Sequence, residues 1–103
     1  MSNIDGVSFV HNVQDKYTLA YKVEPWNNRL KVEVGIAFCS PRDNFCRRIG
    51  RAVALGRMNH AQDVSHKHTL YFSGKKPTRG EEWRMLEEAI KGEVGLTAYE
   101  YMQ

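Results

Sequence analysis

The sequence predicts an α+β fold in which a small antiparallel sheet of about four strands packs with two helices. Three observations carry that expectation. The first 38 residues hold stretches of strand composition, two of them strictly alternating; two later stretches have helical periodicity, each opening on a capping signal; and a strand-like run, HKHTLYFS, lies between those helices. At 103 residues with 42% hydrophobic and 11% aromatic side chains, the chain is expected to form one ligand-binding domain over residues 1–103 with a modest core. A core of that size is marginal alone, so self-association into at least a dimer is expected.

Val7 to Asn12 is short and partly β-branched or aromatic. Lys16 to Glu24 sets Tyr17, Leu19, Tyr21 and Val23 against Thr18, Ala20 and Lys22, the alternation of an antiparallel strand. Pro25-Trp26-Asn27-Asn28 has turn chemistry, since proline presets φ and asparagine tolerates a left-handed backbone. The clearest strand follows, with Leu30, Val32, Val34, Ile36 and Phe38 on one face and Lys31, Glu33, Gly35 and Ala37 on the other.

Ser40-Pro41-Arg42-Asp43 reads as a helix start, with Ser40 as N-cap, Pro41 in the first helical position and Asp43 completing a capping box. The helix is expected from Pro41 to about Met58. It would bury Phe45, Cys46, Ile49, Ala52, Val53 and Gly56 and turn Arg47, Arg48 and Arg51 outward. After a polar connector from Asn59 to Ser65, His66 to Ser73 forms the last strand. Thr78-Arg79-Gly80-Glu81 is a second capping signal for a helix to about Lys91 that buries Trp83, Leu86, Ala89 and Ile90 and is closed by Gly92. The tail from Val94 to Tyr101 is left as an edge strand or a segment lying across a neighbour.

The net charge is +3 and the sequence pI about 9.0, well short of a polyanion-coating composition. The positive field is local: between Arg42 and Arg57 stand five arginines and one acid, Asp43. Arginine forks match phosphate oxygens, and a helix N-terminus adds unpaired N–H groups, so this segment is a candidate phosphate holder. The bland alternative is a solvated charged face. Two features weigh against it: like charges one turn apart repel by a few tenths of a kcal/mol, and Gly50 and Gly56 each cost a helix up to about 1 kcal/mol, which is tolerated where another backbone or a ligand comes close. The candidate ligand-binding set is Arg42, Phe45, Arg47, Arg48, Arg51 and Arg57, with Phe45 or Trp26 placed to stack on a base.

Cys39 and Cys46 are expected as reduced, part-buried thiols, and with His60, His66 and His68 they lack the spacing of a metal site. No nucleophile elbow, P-loop or carboxylate pair marks a catalytic centre, so no catalytic residue, metal or cofactor is expected. No run of eighteen apolar residues is present, and the opening Met1-Ser2-Asn3-Ile4-Asp5 has no signal-peptide character, so a cytoplasmic location is expected.

The run Val32-Glu33-Val34-Gly35-Ile36-Ala37-Phe38-Cys39-Ser40-Pro41-Arg42-Asp43-Asn44-Phe45-Cys46-Arg47-Arg48-Ile49-Gly50-Arg51, continued by Gly56-Arg57, resembles the phage Thoeris anti-defence sponges. The resemblance covers about a quarter of the chain and rests on the V-x-V-G strand, the D-x-F turn and the paired G-R steps. It implies a phage protein acting in the cytoplasm of an infected bacterium, assembled as a homo-oligomer. Such a protein binds cyclic ADP-ribose isomers or cyclic oligonucleotides without cleaving them. Two other functions use the same chain differently. One is a small phage regulator holding nucleic acid on the basic helix, against which the acidic Glu81, Glu82, Glu87 and Glu88 count. The other is an inhibitor of a host protein that docks through the aromatic tail.

Overall fold

The computed structural model describes residues 6–40, 42, 44–60 and 66–95. Four strands and two helices follow in the order β1 (Val7–Asn12), β2 (Tyr17–Trp26), β3 (Arg29–Phe38), α1 (Arg47–Met58), β4 (Lys67–Ser73) and α2 (Gly80–Val94). The sheet runs β1-β2-β3-β4 with every neighbouring pair antiparallel, as the sequence predicts. No helix is long and apolar enough to cross a membrane among the described residues.

Local chemistry sets the connections. Asn12 Oδ1 accepts the Asp15 N–H at 2.8 Å and Lys16 takes a φ of 57° to complete the first turn. The second hairpin turns on Asn27 and Asn28 alone, with φ of 47° and 63°, the paired positive values that match the twist of the flanking strands. Pro25 and Trp26, expected in the turn, therefore belong to β2, with Trp26 opposite Arg29.

The sheet is buried on both faces. Tyr17, Leu19, Tyr21, Val23, Leu30, Val32, Val34 and Ile36 form one apolar face, closed by Leu86 and Ile90 of α2. Phe38, expected on that face, is 38% exposed at the end of β3 and packs edge-on against His66 at 4.8 Å. On the opposite face Val7, Ala20 and Ala37 meet Ala54 and Met58 of α1. The alternation in β3 suggested a solvated second face. Gly35 and Ala37 are instead small because α1 lies directly on them: a Cβ at Gly35 would collide with the Ala54 carbonyl oxygen and the Met58 nitrogen.

Helix α1 begins at Arg47, with Cys46 as N-cap and no side-chain cap bond, six residues after the expected start. Ser40 spends its hydroxyl locally, accepting the Arg42 N–H at 3.3 Å; Pro41 and Asp43 of the expected box lie outside the described residues. The buried side of α1 is also rotated from expectation. Ala54 and Met58 are buried and Gly50 sits against Thr18, whereas Ile49 is 63% and Val53 38% exposed, and Ala52, Gly56 and Cys46 are exposed.

Helix α2 starts at Gly80 with Arg79 as N-cap. The reciprocal half of a capping box is present one residue later than expected: Glu82, not Glu81, reaches back to accept the Thr78 N–H at 3.0 Å. Leu86 and Ile90 are buried and Trp83 half-buried, but Ala89 is exposed. The helix runs past Gly92 and closes at Gly95, whose φ of 76° supplies the left-handed cap. The tail expected as an edge strand or neighbour contact lies, from residue 96, outside the described residues.

Candidate functional site

The site grows from the contact between β2 and the first turn of α1. Thr18 is fully buried and Gly50 lies over it, so close that a Cβ at position 50 would strike the Thr18 hydroxyl. That contact fixes the start of α1 above the end of the sheet. It accounts for the glycine at 50; at position 56 a Cβ would meet open space, so no packing contact explains that glycine.

Around this anchor stand one predicted aromatic and two predicted arginines. His11 of β1 bonds the Thr18 hydroxyl through Nδ1 at 2.9 Å, and Phe45 meets the His11 ring edge-on at 6.0 Å. Burial, and after it the positive fields of Arg47 and Arg51, hold the His11 imidazole below its ordinary 6.5. Arg47 and Arg51, one turn apart, thus share the His11 side of the helix, while Arg48 is exposed farther round. No acid pairs with any of the three among the described residues.

The first turn of α1 carries no acid and no cap. Helix geometry leaves the N–H groups of Arg47, Arg48 and Ile49 without an intrahelical acceptor, and Gly50 is the first to bond back, to the Cys46 carbonyl at 2.9 Å. Backbone donors, the positive end of the helix dipole and the guanidinium groups of Arg47 and Arg51 are therefore concentrated at one corner, with Arg48 farther round the same turn. Beside it opens a cleft of about 320 Å³ between the end of β3 and α1, lined chiefly by Phe38, Cys39, Phe45, Cys46, Ile49 and Val53. Its walls are mainly apolar, and its volume is at the low end for a small-molecule site.

The remaining predicted residues are dispersed. Arg42 is exposed in the loop before α1. Arg57, at the far end of the helix, donates from Nη1 to the Ile36 carbonyl at 2.7 Å, a bond that secures α1 to β3. Trp26, the alternative stacking residue, is at the other end of β2 from Thr18, roughly 26 Å away at the rise of a strand. His11 and Thr18 complete the corner without any sequence motif announcing them. Neither cysteine forms a disulfide; Cys39 is half-buried, with its thiol donating to the Asn44 carbonyl at 3.6 Å, and Cys46 is exposed. No cluster of three or more potential metal ligands occurs among the described residues.

Compared with known protein families, with curated proteins and with solved structures, the chain has no match in any of the three.

Proposed function

We propose that the protein binds and sequesters a cyclic nucleotide immune signal, a glycocyclic ADP-ribose or a cyclic oligonucleotide, without cleaving it, and so counters bacterial anti-phage defence. The observation that carries this reading is the uncapped, acid-free first turn of α1, which borders an apolar cleft and where Arg47, Arg48 and Arg51 have no acidic partner among the described residues. A nucleotide presents the two matching halves. Its phosphates suit the guanidinium forks and the free N–H groups, and its base suits Phe45 and the cleft wall. The resemblance of the Val32–Arg57 segment to the anti-defence sponges points to the same ligand class. The cleft is too shallow to enclose such a ligand by itself, which fits assembly as a homo-oligomer in which a second copy closes over it.

The test is to incubate the purified protein with a panel of cyclic ADP-ribose isomers and cyclic di- and trinucleotides, remove free ligand, denature the protein by heat and identify what is released. Recovery of one unmodified nucleotide is expected; no depletion from the panel overturns the reading, and recovery of a cleaved product replaces sequestration with turnover. Converting Arg47 and Arg51 together to Ala is expected to weaken capture at least about 100-fold, at about 1.5–3 kcal/mol for each charged hydrogen bond lost. An unchanged thermal midpoint would show that the fold is intact.

A further inference from the structure

The geometry points to a second binding surface, at the β2–β3 hairpin end of the sheet and away from α1, that takes single-stranded nucleic acid. Helix α1 covers only the part of its sheet face around Thr18, Ala20, Gly35 and Ala37. Beyond it the same face carries Trp26, Lys31 and Tyr71 in adjacent strands, with Lys31 opposite Tyr71 and Trp26 opposite Arg29. Trp26 is 46% and Tyr71 48% exposed, an unusual state for large aromatics on a sheet with two apolar cores.

Tyr71 lies directly across from Lys31 and Trp26 diagonally, two residues further along β2, which places the two strand positions about 12 Å apart. Lys31 lies over the indole with Nζ 4.7 Å from its centroid and also approaches Glu33 at 3.8 Å. It therefore braces the indole and offsets the acid behind it. The remaining indole and phenol surface faces solvent.

Charge separates by position along this end. The face itself holds Glu24 and Glu33 with Lys22 and Lys31, and is close to balanced. Round the hairpin end from this face a groove of about 460 Å³ is lined by Arg29, Lys75 and Lys76 with Asn28 and Gly74, and by Pro25 and Leu30 of the α2 face, and by no acid. None of the three cations has an acidic partner among the described residues. Aromatic rings beside a cationic groove match an extended single strand, whose bases stack while its phosphates follow the positive rim. A duplex hides its base faces and would use only the rim. The half-buried acids of the face, Glu24 and Glu33, disfavour an acidic protein, which would have to cross them to reach the rim.

The test uses the full chain with a short fluorescein-labelled oligothymidylate and its ribose counterpart, followed by anisotropy at 50 and 200 mM salt. Binding is expected to fall about 20-fold between the two, the effect of three neutralised phosphates on a single strand. Comparison of the two oligomers tells DNA from RNA. Trp26→Ala and Tyr71→Ala are each expected to weaken binding by roughly 5-fold or more, as loss of one stacked base requires, while Arg47→Ala with Arg51→Ala leaves it unchanged. Both aromatics are exposed, and Lys75→Glu with Lys76→Glu lies in a loop, so folding survives at least one of these changes. The proposal is overturned by no binding at 50 mM salt, by loss of binding with the α1 arginines instead, by equal competition from duplex, or by displacement with polyglutamate at matched charge.

Discussion

At the scale of single residues, His11 is the histidine of the proposed ligand corner, held between Thr18 and Phe45. Burial and the Arg47 and Arg51 charges lower its pKa below 6.5, so the fold favours the neutral ring. Below 6.5 the unfolded chain takes up a proton first, and stability is lost as pH falls through the window beneath that value; His66, lowered by burial and by Arg57, acts in the same direction. Denaturant titrations between about pH 8 and pH 5 are expected to show this loss, reduced in His11→Gln. A phosphate seated on Arg47 and Arg51 would offset the charges that depress His11, so ligand binding should take up a proton and tighten as pH falls. Flat affinity from pH 8 to 5 would remove the ligand from this corner.

The glycines test the packing at the same scale. Gly35→Ala places a methyl against α1 backbone that cannot yield, and is expected to cost about 3 kcal/mol or more. Gly56→Ala meets nothing and is expected to stabilise by up to about 1 kcal/mol through helix propensity. Thermal midpoints moving in opposite directions would confirm both. The close approach expected of both mid-helix glycines is found at Gly50, which lies on Thr18, and not at Gly56, which meets nothing, so a mid-helix glycine alone does not decide between contact and open space. His11 was not legible, since a histidine on a short strand carries no spacing signal and its role depends on a partner, Thr18, fixed only by strand register.

At the scale of elements, the strands and the presence and end of helix α1 were legible, and its start and buried face were not. Alternation specifies which strand residues share a face, and a two-residue Asn turn fixes register. Helix α1 has apolar residues on more than one side: Ile49, Ala52 and Val53 make as plausible a stripe as Ala54 and Met58. The choice between them was made by tertiary fit, because only the small side of α1 can descend onto Gly35 and Ala37. Its start was misplaced for a related reason, the Ser40 hydroxyl being engaged in its own local turn. It follows that Ile49→Ser should change stability by no more than about 0.5 kcal/mol, whereas Met58→Ala should cost about 2–5 kcal/mol. Chemical denaturation of the two variants distinguishes the observed helix face from the one periodicity suggested.

At the scale of the whole molecule, the sheet is held between two helices of unlike charge, α1 carrying the unpaired arginines and α2 the acids. That separation was visible in the sequence, but the placement of the helices on opposite faces was not, because β2 and β3 read as half-buried until both helices are seated. The α2 side depends on one polar clasp. Tyr21, buried in the sheet, donates its hydroxyl to Glu87 Oε2 at 2.6 Å, and burial, followed by the Glu87 carboxylate, raises the phenol well above its ordinary 10.0. Tyr21→Phe removes the donor while keeping the ring against Trp83, and should cost about 1.5 kcal/mol as the loss of a charged hydrogen bond. A raised folded pKa also means that the clasp contributes fully below 10.0 and that its contribution is lost as pH rises above that value, where the unfolded phenol ionises first. The wild type should therefore lose stability to alkali more steeply than Tyr21→Phe, with the two converging toward high pH. Parallel curves would show that α2 is held by Leu86 and Ile90 alone.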